Sequence, residues 1–168
     1  DFLSQVSSPD NFGGAVEVVK PFSITENCAI IAASSTNKGK LWAIKACRSA
    51  GAVSVDAVSV IDSLNSPILQ GFGTLRIGET IRTIDYVNGK FTLAVTIPAA
   101  INHLTKTAVG AVLLVALDPT TLEWERVGQI PNSWSSQDLV MQNLVGSSAG
   151  FGRSVAKMSS PGPGIRLA

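Results

Sequence analysis

The sequence predicts an all-β domain, an antiparallel β-sandwich, and three observations lead there. Short runs rich in β-branched and aromatic residues alternate with polar positions, as in Lys40 to Cys47, where Trp42, Ile44 and Ala46 face one way and Lys45 the other. Pro, Gly, Asn and Ser punctuate the chain into about eight to ten such runs, the spacing of a sandwich or barrel. Long amphipathic helices, which an α/β fold places between its strands, do not occur in the pattern. An eight-stranded jelly roll with one or two short helices is the arrangement expected. The 168 residues, 45% apolar and only 15% charged, suffice for one folded domain with a real core.

Residues 1–15 hold Ser7-Ser8-Pro9-Asp10-Asn11 and Gly13-Gly14 and read as a flexible N-terminal arm. Asp1 in first position reads as a processed chain or a piece of a larger polyprotein. The sandwich is expected over residues 16–145, beginning where Val16, Val18 and Val19 lie beside Glu17 and Lys20. Cys28 to Ala33 is a short apolar strand, Ser34 to Gly39 a polar loop, and Lys40 to Cys47 the next strand. Ala52 to Ile61 alternates again, with Val53, Val55 and Ala57 set opposite Ser54, Asp56 and Val58. Past Asn65-Ser66-Pro67, the glycines among Ile68, Leu69, Phe72, Leu75 and Ile77 suggest a bent or bulged strand. Their spacing is not that of a nucleotide-binding fingerprint.

Asn88-Gly89 is the strongest local signal. A two-residue type I′ turn needs positive φ at both central positions, which Asn and Gly tolerate, and it sets the register of its strands. Val87 is then opposite Lys90, Tyr86 opposite Phe91 and Ile84 opposite Leu93, with Tyr86, Ile84, Phe91, Leu93 and Val95 on one face. Pro98 suits a first helical position, so Ala99 to Lys106 is expected as two turns of helix before a strand at Val109 to Leu117. Asp118-Pro119-Thr120-Thr121 turns the chain into Leu122 to Val127, a second hairpin. Ser135 or Ser136 is placed to cap an expected short second helix through Leu144, where Leu139, Val140 and Met141 are also compatible with strand, and residues 146–168 read as a basic tail rich in Gly, Ser and Pro.

The residues that carry chemistry point away from an enzyme and from any metal or cofactor. His103 is the single histidine, no Cys-x-x-Cys spacing occurs, and no Gly-x-Ser-x-Gly elbow activates a serine. Cys28 and Cys47 sit in apolar strand-like runs and are expected as two buried free thiols. Glu123 and Glu125 would project to one strand face about 7 Å apart, a spacing that suits paired acid and base groups but reads here as a solvated face, with Leu122 and Trp124 on the opposite one. Asp56, Asp62 and Asp85 are further carboxylates that only the fold could bring together around an ion. The net charge of +1 hides an asymmetry: residues 151–168 carry +3 through Arg153, Lys157 and Arg166, leaving −2 elsewhere. These three are the candidate nonspecific contacts to RNA phosphates, and Trp134, in a loop-like stretch, is the candidate aromatic at a binding rim. No apolar run reaches the length of a membrane-spanning helix.

The length, the arm-like first residues, the strand at Lys40 to Cys47, the short Pro98-led element, the apolar hairpins and the Pro/Gly tail give a resemblance in general style. The chain resembles the jelly-roll coat domains of icosahedral positive-strand RNA viruses, especially those of plants. The resemblance implies a capsid subunit that packs with copies of itself or related coat domains around an RNA genome. It implies a location in the virion, and in host cytoplasm during assembly. It transfers no site residue, and the sparse basic arm departs from the family pattern. The alternative is a receptor- or carbohydrate-binding β-sandwich module, of trimeric type.

Overall fold

In the computed structural model, the described residues are 12–23, 25–70, 72, 76–101, 108, 110–130, 153–158 and 166–167. Eight strands of seven to eleven residues form two antiparallel sheets. The first contains β1 (Phe12–Lys20), β2 (Cys28–Ser35), β3 (Lys40–Ser49) and β4 (Ala52–Asp62). The second contains β5 (Ile81–Val87), β6 (Lys90–Ile97), β7 (Ala111–Leu117) and β8 (Trp124–Ile130). Two-residue strands β9 (Lys157–Met158) and β10 (Arg166–Leu167) pair separately.

The strand orders are β1-β2-β3-β4 and β5-β6-β7-β8, so every strand lies beside its sequence neighbour. The all-β, two-sheet expectation holds. The connectivity is two successive meanders, whereas a jelly roll threads Greek-key connections between its sheets. Short turns set part of this order, since the four-residue β2–β3 turn and the two-residue β3–β4 and β5–β6 turns can only bring the next strand back alongside the last.

One core joins the two meanders. Val19, Ile30, Ala32, Leu41 and Ala43 from the first sheet meet Ile81, Leu93, Val95, Ile97, Leu113, Val115 and Leu117 from the second. The described residues of the link from Ser63 to Thr80 are mostly in turns, and they insert Leu69, Phe72 and Ile77 into the same core. The bent strand expected among its glycines is not formed in its described residues. At this end, buried Ser34 donates through Oγ to the Gly78 carbonyl (2.7 Å) and accepts the Ala15 N–H (2.9 Å), tying β1, β2 and the link together. Between the sheets' first strands, Glu17 accepts from the Thr83 N–H (2.8 Å) and from Arg82 Nη1 (3.2 Å).

Other differences from the sequence reading have local causes. β1 starts at Phe12, inside the stretch read as an arm. The Asn88-Gly89 turn pairs Val87 with Lys90 and Tyr86 with Phe91 as its geometry requires, but Leu93 faces Thr83 because a bulge intervenes between Thr83 and Asp85. Ile84, displaced by that bulge, packs on the opposite face with Ala94, Val112 and Val155, and Tyr86 stays exposed against Phe91. After Pro98 the Ala100 N–H bonds back to the Ile97 carbonyl and Ile101 bridges Ala108, so the chain makes a turn at the start of the expected helix. Residues 102–106 of that helix, and the second one from Ser135 or Ser136 to Leu144, lie outside the described residues.

The β3–β4 turn uses Ala50 (φ 48°) and Gly51 (φ 83°), the same backbone signs as Asn88 (φ 52°) and Gly89 (φ 81°). Alanine in this left-handed region bears a steric cost that asparagine largely avoids. Ala50→Asn is therefore expected to stabilise the fold by about 1 kcal/mol, read as a higher urea midpoint. An unchanged or lower midpoint would contradict the turn geometry.

Candidate functional site

Among the described residues, the outward face of the first sheet departs from the pattern of a solvated sheet. An antiparallel sheet with one face in water shows clean alternation, apolar in and polar out. Here β2 (Cys28–Ser35) reads Cys-Ala-Ile-Ile-Ala-Ala-Ser-Ser and supplies apolar groups to both faces. Register aligns them across the strands. Val16, Ala33, Trp42 and Val60 form one cross-strand row, and Val18, Ile31, Ile44 and Val58 form the next. Ala29, Ala46 and Val55 make a third.

The middle of this face is closed and its margins are open. Ala33, Trp42 and Ile44 are buried and packed with Phe12, Ile31 and Val58, the Phe12 ring standing edge-on to Trp42 at 5.5 Å. Trp42 Nε1 donates to Ser35 Oγ at 2.9 Å, and the Lys40 ammonium lies 5.9 Å from the indole centroid. At the margins Val16, Val18, Val53, Val55 and Val60 are 54, 55, 59, 47 and 41% exposed. A bulge at Asp56 gathers four of the valines: Val55 pairs with Ala46 and Ala57 with Lys45, so Val53 and Val55 join Val58 and Val60 outside while Ala57 turns to the core. The simple alternation expected for Ala52 to Ile61 breaks at that residue, and the Asp56 carboxylate pairs with Lys45 at 2.9 Å.

Cys28 and Cys47 form a disulfide, which corrects the expectation of two free thiols. They are direct partners in the β2–β3 register, with Cα atoms 4.0 Å apart. The Arg48 N–H donates to the Asn27 carbonyl and so points toward β2, which makes the neighbouring Cys47 amide point toward β4. The cysteines thus occupy a non-hydrogen-bonded pair, where side chains approach most closely. The signal lies in the turn: Cys28 and Cys47 are equidistant from the centre of residues 36–39, which join β2 to β3, and not from that of the longer Ser34 to Gly39 loop read from the sequence. The disulfide sits at the root of a ribbon, since β3 and β4 continue past Cys47 to the Ala50-Gly51 turn while β2 begins at Cys28.

The sequence-nominated residues are dispersed. Glu123 and Glu125 are exposed, and Glu125 accepts from Lys90 Nζ at 2.7 Å, an ion pair that raises the Lys90 pKa. Asp62 accepts the Leu64 N–H and Asp85 the Tyr86 N–H, so with Asp56 the three aspartates serve separate local partners. Among the described residues no group of three His, Cys, Asp or Glu is placed to hold a metal ion. Arg153 is exposed, its carbonyl 3.4 Å from Thr80 Oγ1. Lys157 and Arg166 lie in the paired strands β9 and β10, while Trp134 and His103 lie outside the described residues. A shallow hollow of about 520 Å³ opens beside Lys40, Asp62, Asn65 and Ser66 without a convergent reactive set. No helix among the described residues is long and apolar enough to cross a membrane.

The chain matches no protein-family model, no curated protein and no solved structure.

Two outcomes follow from these contacts. Closing a loop across a sequence separation of 19, the disulfide is expected to contribute about 3 kcal/mol. The Cys28→Ser/Cys47→Ser double variant should unfold at correspondingly lower urea and lose the parent's sensitivity to reductant. Asp118 Oδ1 accepts from the Thr120 and Thr121 amides (2.7 and 3.1 Å), and these bonds, Thr120 first, lower its pKa below the ordinary 3.8. A carboxylate lowered in the folded state stabilises above its unfolded pKa and loses that contribution as pH falls through the folded value. The Thr120 and Thr121 amide resonances should therefore titrate below pH 3.8, and Asp118→Asn should abolish that titration.

Proposed function

We propose that this chain is a structural protein that assembles with copies of itself, as a coat-forming subunit does. The observation that carries the reading is the outward face of the first sheet, apolar in three consecutive cross-strand rows and ending in exposed valines on both edge strands. Water around those valines is a standing free-energy cost, on the order of 25 cal/mol for each Å² that a neighbour would cover. Repetition lets a shell use contacts that are individually weak. The disulfide adds a reason for the assembled particle, outside the reducing cytosol, as the working location. Arg153, Lys157 and Arg166 are the residues proposed to meet RNA phosphates nonspecifically. The jelly-roll order itself forms no part of the proposal, which needs only two packed sheets with an apolar outer surface.

Analytical ultracentrifugation near neutral pH tests it. The expected result is a closed species of many copies, reduced to small species when Val18 and Val60 are replaced by lysine. A chain that stays monomeric at every concentration would overturn the reading.

A further inference from the structure

The self-association read above leaves open which surfaces meet, and the protruding ribbon specifies one. In the first sheet β4 has β3 on one side and, among the described residues, no strand on the other. Its outer edge carries peptide groups that must bond to water or to another strand. The hairpin geometry shows which ones. Ser49 and Ala52 close the two-residue turn, so they are a hydrogen-bonded pair, and Arg48 opposite Val53 is a non-bonded pair. The Arg48 N–H bond to Asn27 on the β2 side confirms this phase. Val53, and by the same alternation Val55, therefore direct both N–H and C=O outward, while Ser54 directs its own toward Cys47.

We propose that β4 of one chain pairs antiparallel with β4 of a second copy across a two-fold axis at Ser54. In this register Val53 meets Val55 of the copy and Val55 meets Val53, and each pair exchanges two hydrogen bonds, so all outward-directed groups of both residues are satisfied. The strand is its own complement here. From Ser49 to Val55 it carries no charge, so no like charges are opposed. The four valines meet on one face and extend the apolar outer surface of the first sheet into the next chain. Asp56 and its bulge end the seam, because an extra residue disrupts further pairing. Steric room is available as well: Ser54 lies near the ribbon tip, and antiparallel pairing sends the two bodies away from each other along opposite directions.

Four hydrogen bonds and four valines make a seam well below the roughly 1,000 Å² of a stable isolated interface, so covalent trapping is the suitable readout. Val53→Cys and Val55→Cys lie on the face opposite Cys47 and leave the native disulfide undisturbed. When the two variants are mixed under mild oxidation, the disulfide-linked heterodimer should form at least about ten times faster than either homodimer, reflecting the effective concentration across a formed seam. Equal rates in the mixture and in each variant alone would overturn the proposal. Hydrogen exchange on the unaltered chain is an independent measure. The Val53 and Val55 amides should exchange more slowly as protein concentration rises, and concentration-independent exchange at both would overturn the pairing. Trapping without closed particles would support the seam and sink the coat reading. Closed particles that show neither register-specific trapping nor protection at these amides would do the reverse.

Discussion

The fold depends on one requirement: each four-stranded meander must cover the apolar inner face of the other. Neither could hold Leu41 or Leu93 and Leu113 out of water alone, because one sheet has a second face to manage and no helix among the described residues lies over it. Docking the two faces creates the shared core, and the turns of the link then plug it with Leu69, Phe72 and Ile77. The polar contacts at its boundary follow from that closure. Ser34 reaches Gly78, and Glu17 reaches Thr83, because burial there leaves peptide groups that must find partners within the protein.

The two sheets cover the middle of their outer faces differently, while the edge strands of both leave apolar side chains in water, Val87, Val127 and Ile130 among them on the second. On the second sheet Val155 returns from the C-terminal region to cover Ile84, Ala94 and Val112. On the first sheet Trp42 and Ile44 are sheltered, yet the flanking valines of β1 and β4 remain in water. Stability alone does not call for valine at these margins, since lysine or threonine would fit a solvated strand equally well. The proposed contact with other copies would account for these valines.

Local chemistry made much of this architecture legible in advance. Loops rich in turn residues and short β-branched runs specified the strands, and Asn88-Gly89 specified its own register as far as Tyr86 and Phe91. What escaped were the bulges. One extra residue near Ile84, and another at Asp56, reverse the facing of everything beyond them without any mark in the composition. The disulfide escaped for a different reason: two cysteines in apolar strands look inert until the hairpin register sets them face to face. The outward face was the harder miss. Reading β2 as simply apolar does not reveal that half its side chains meet the core and half meet Trp42 and its neighbours. Trp134, His103 and both expected helices fall wholly or largely outside the described residues.

The meander connectivity has a kinetic consequence. Every long-strand pairing in both sheets joins neighbours in sequence, which gives low contact order for an all-β protein and favours quick formation of each sheet from its own hairpins. The first half of the chain can zip together while the second is still being synthesised, and face-to-face docking is then the late, non-local event. In that interval the half-made protein displays apolar groups on both sides of a single sheet. Partner choice is most error-prone at that moment, and the Asp56 kink guards against it by limiting how far an edge can be extended by the wrong strand.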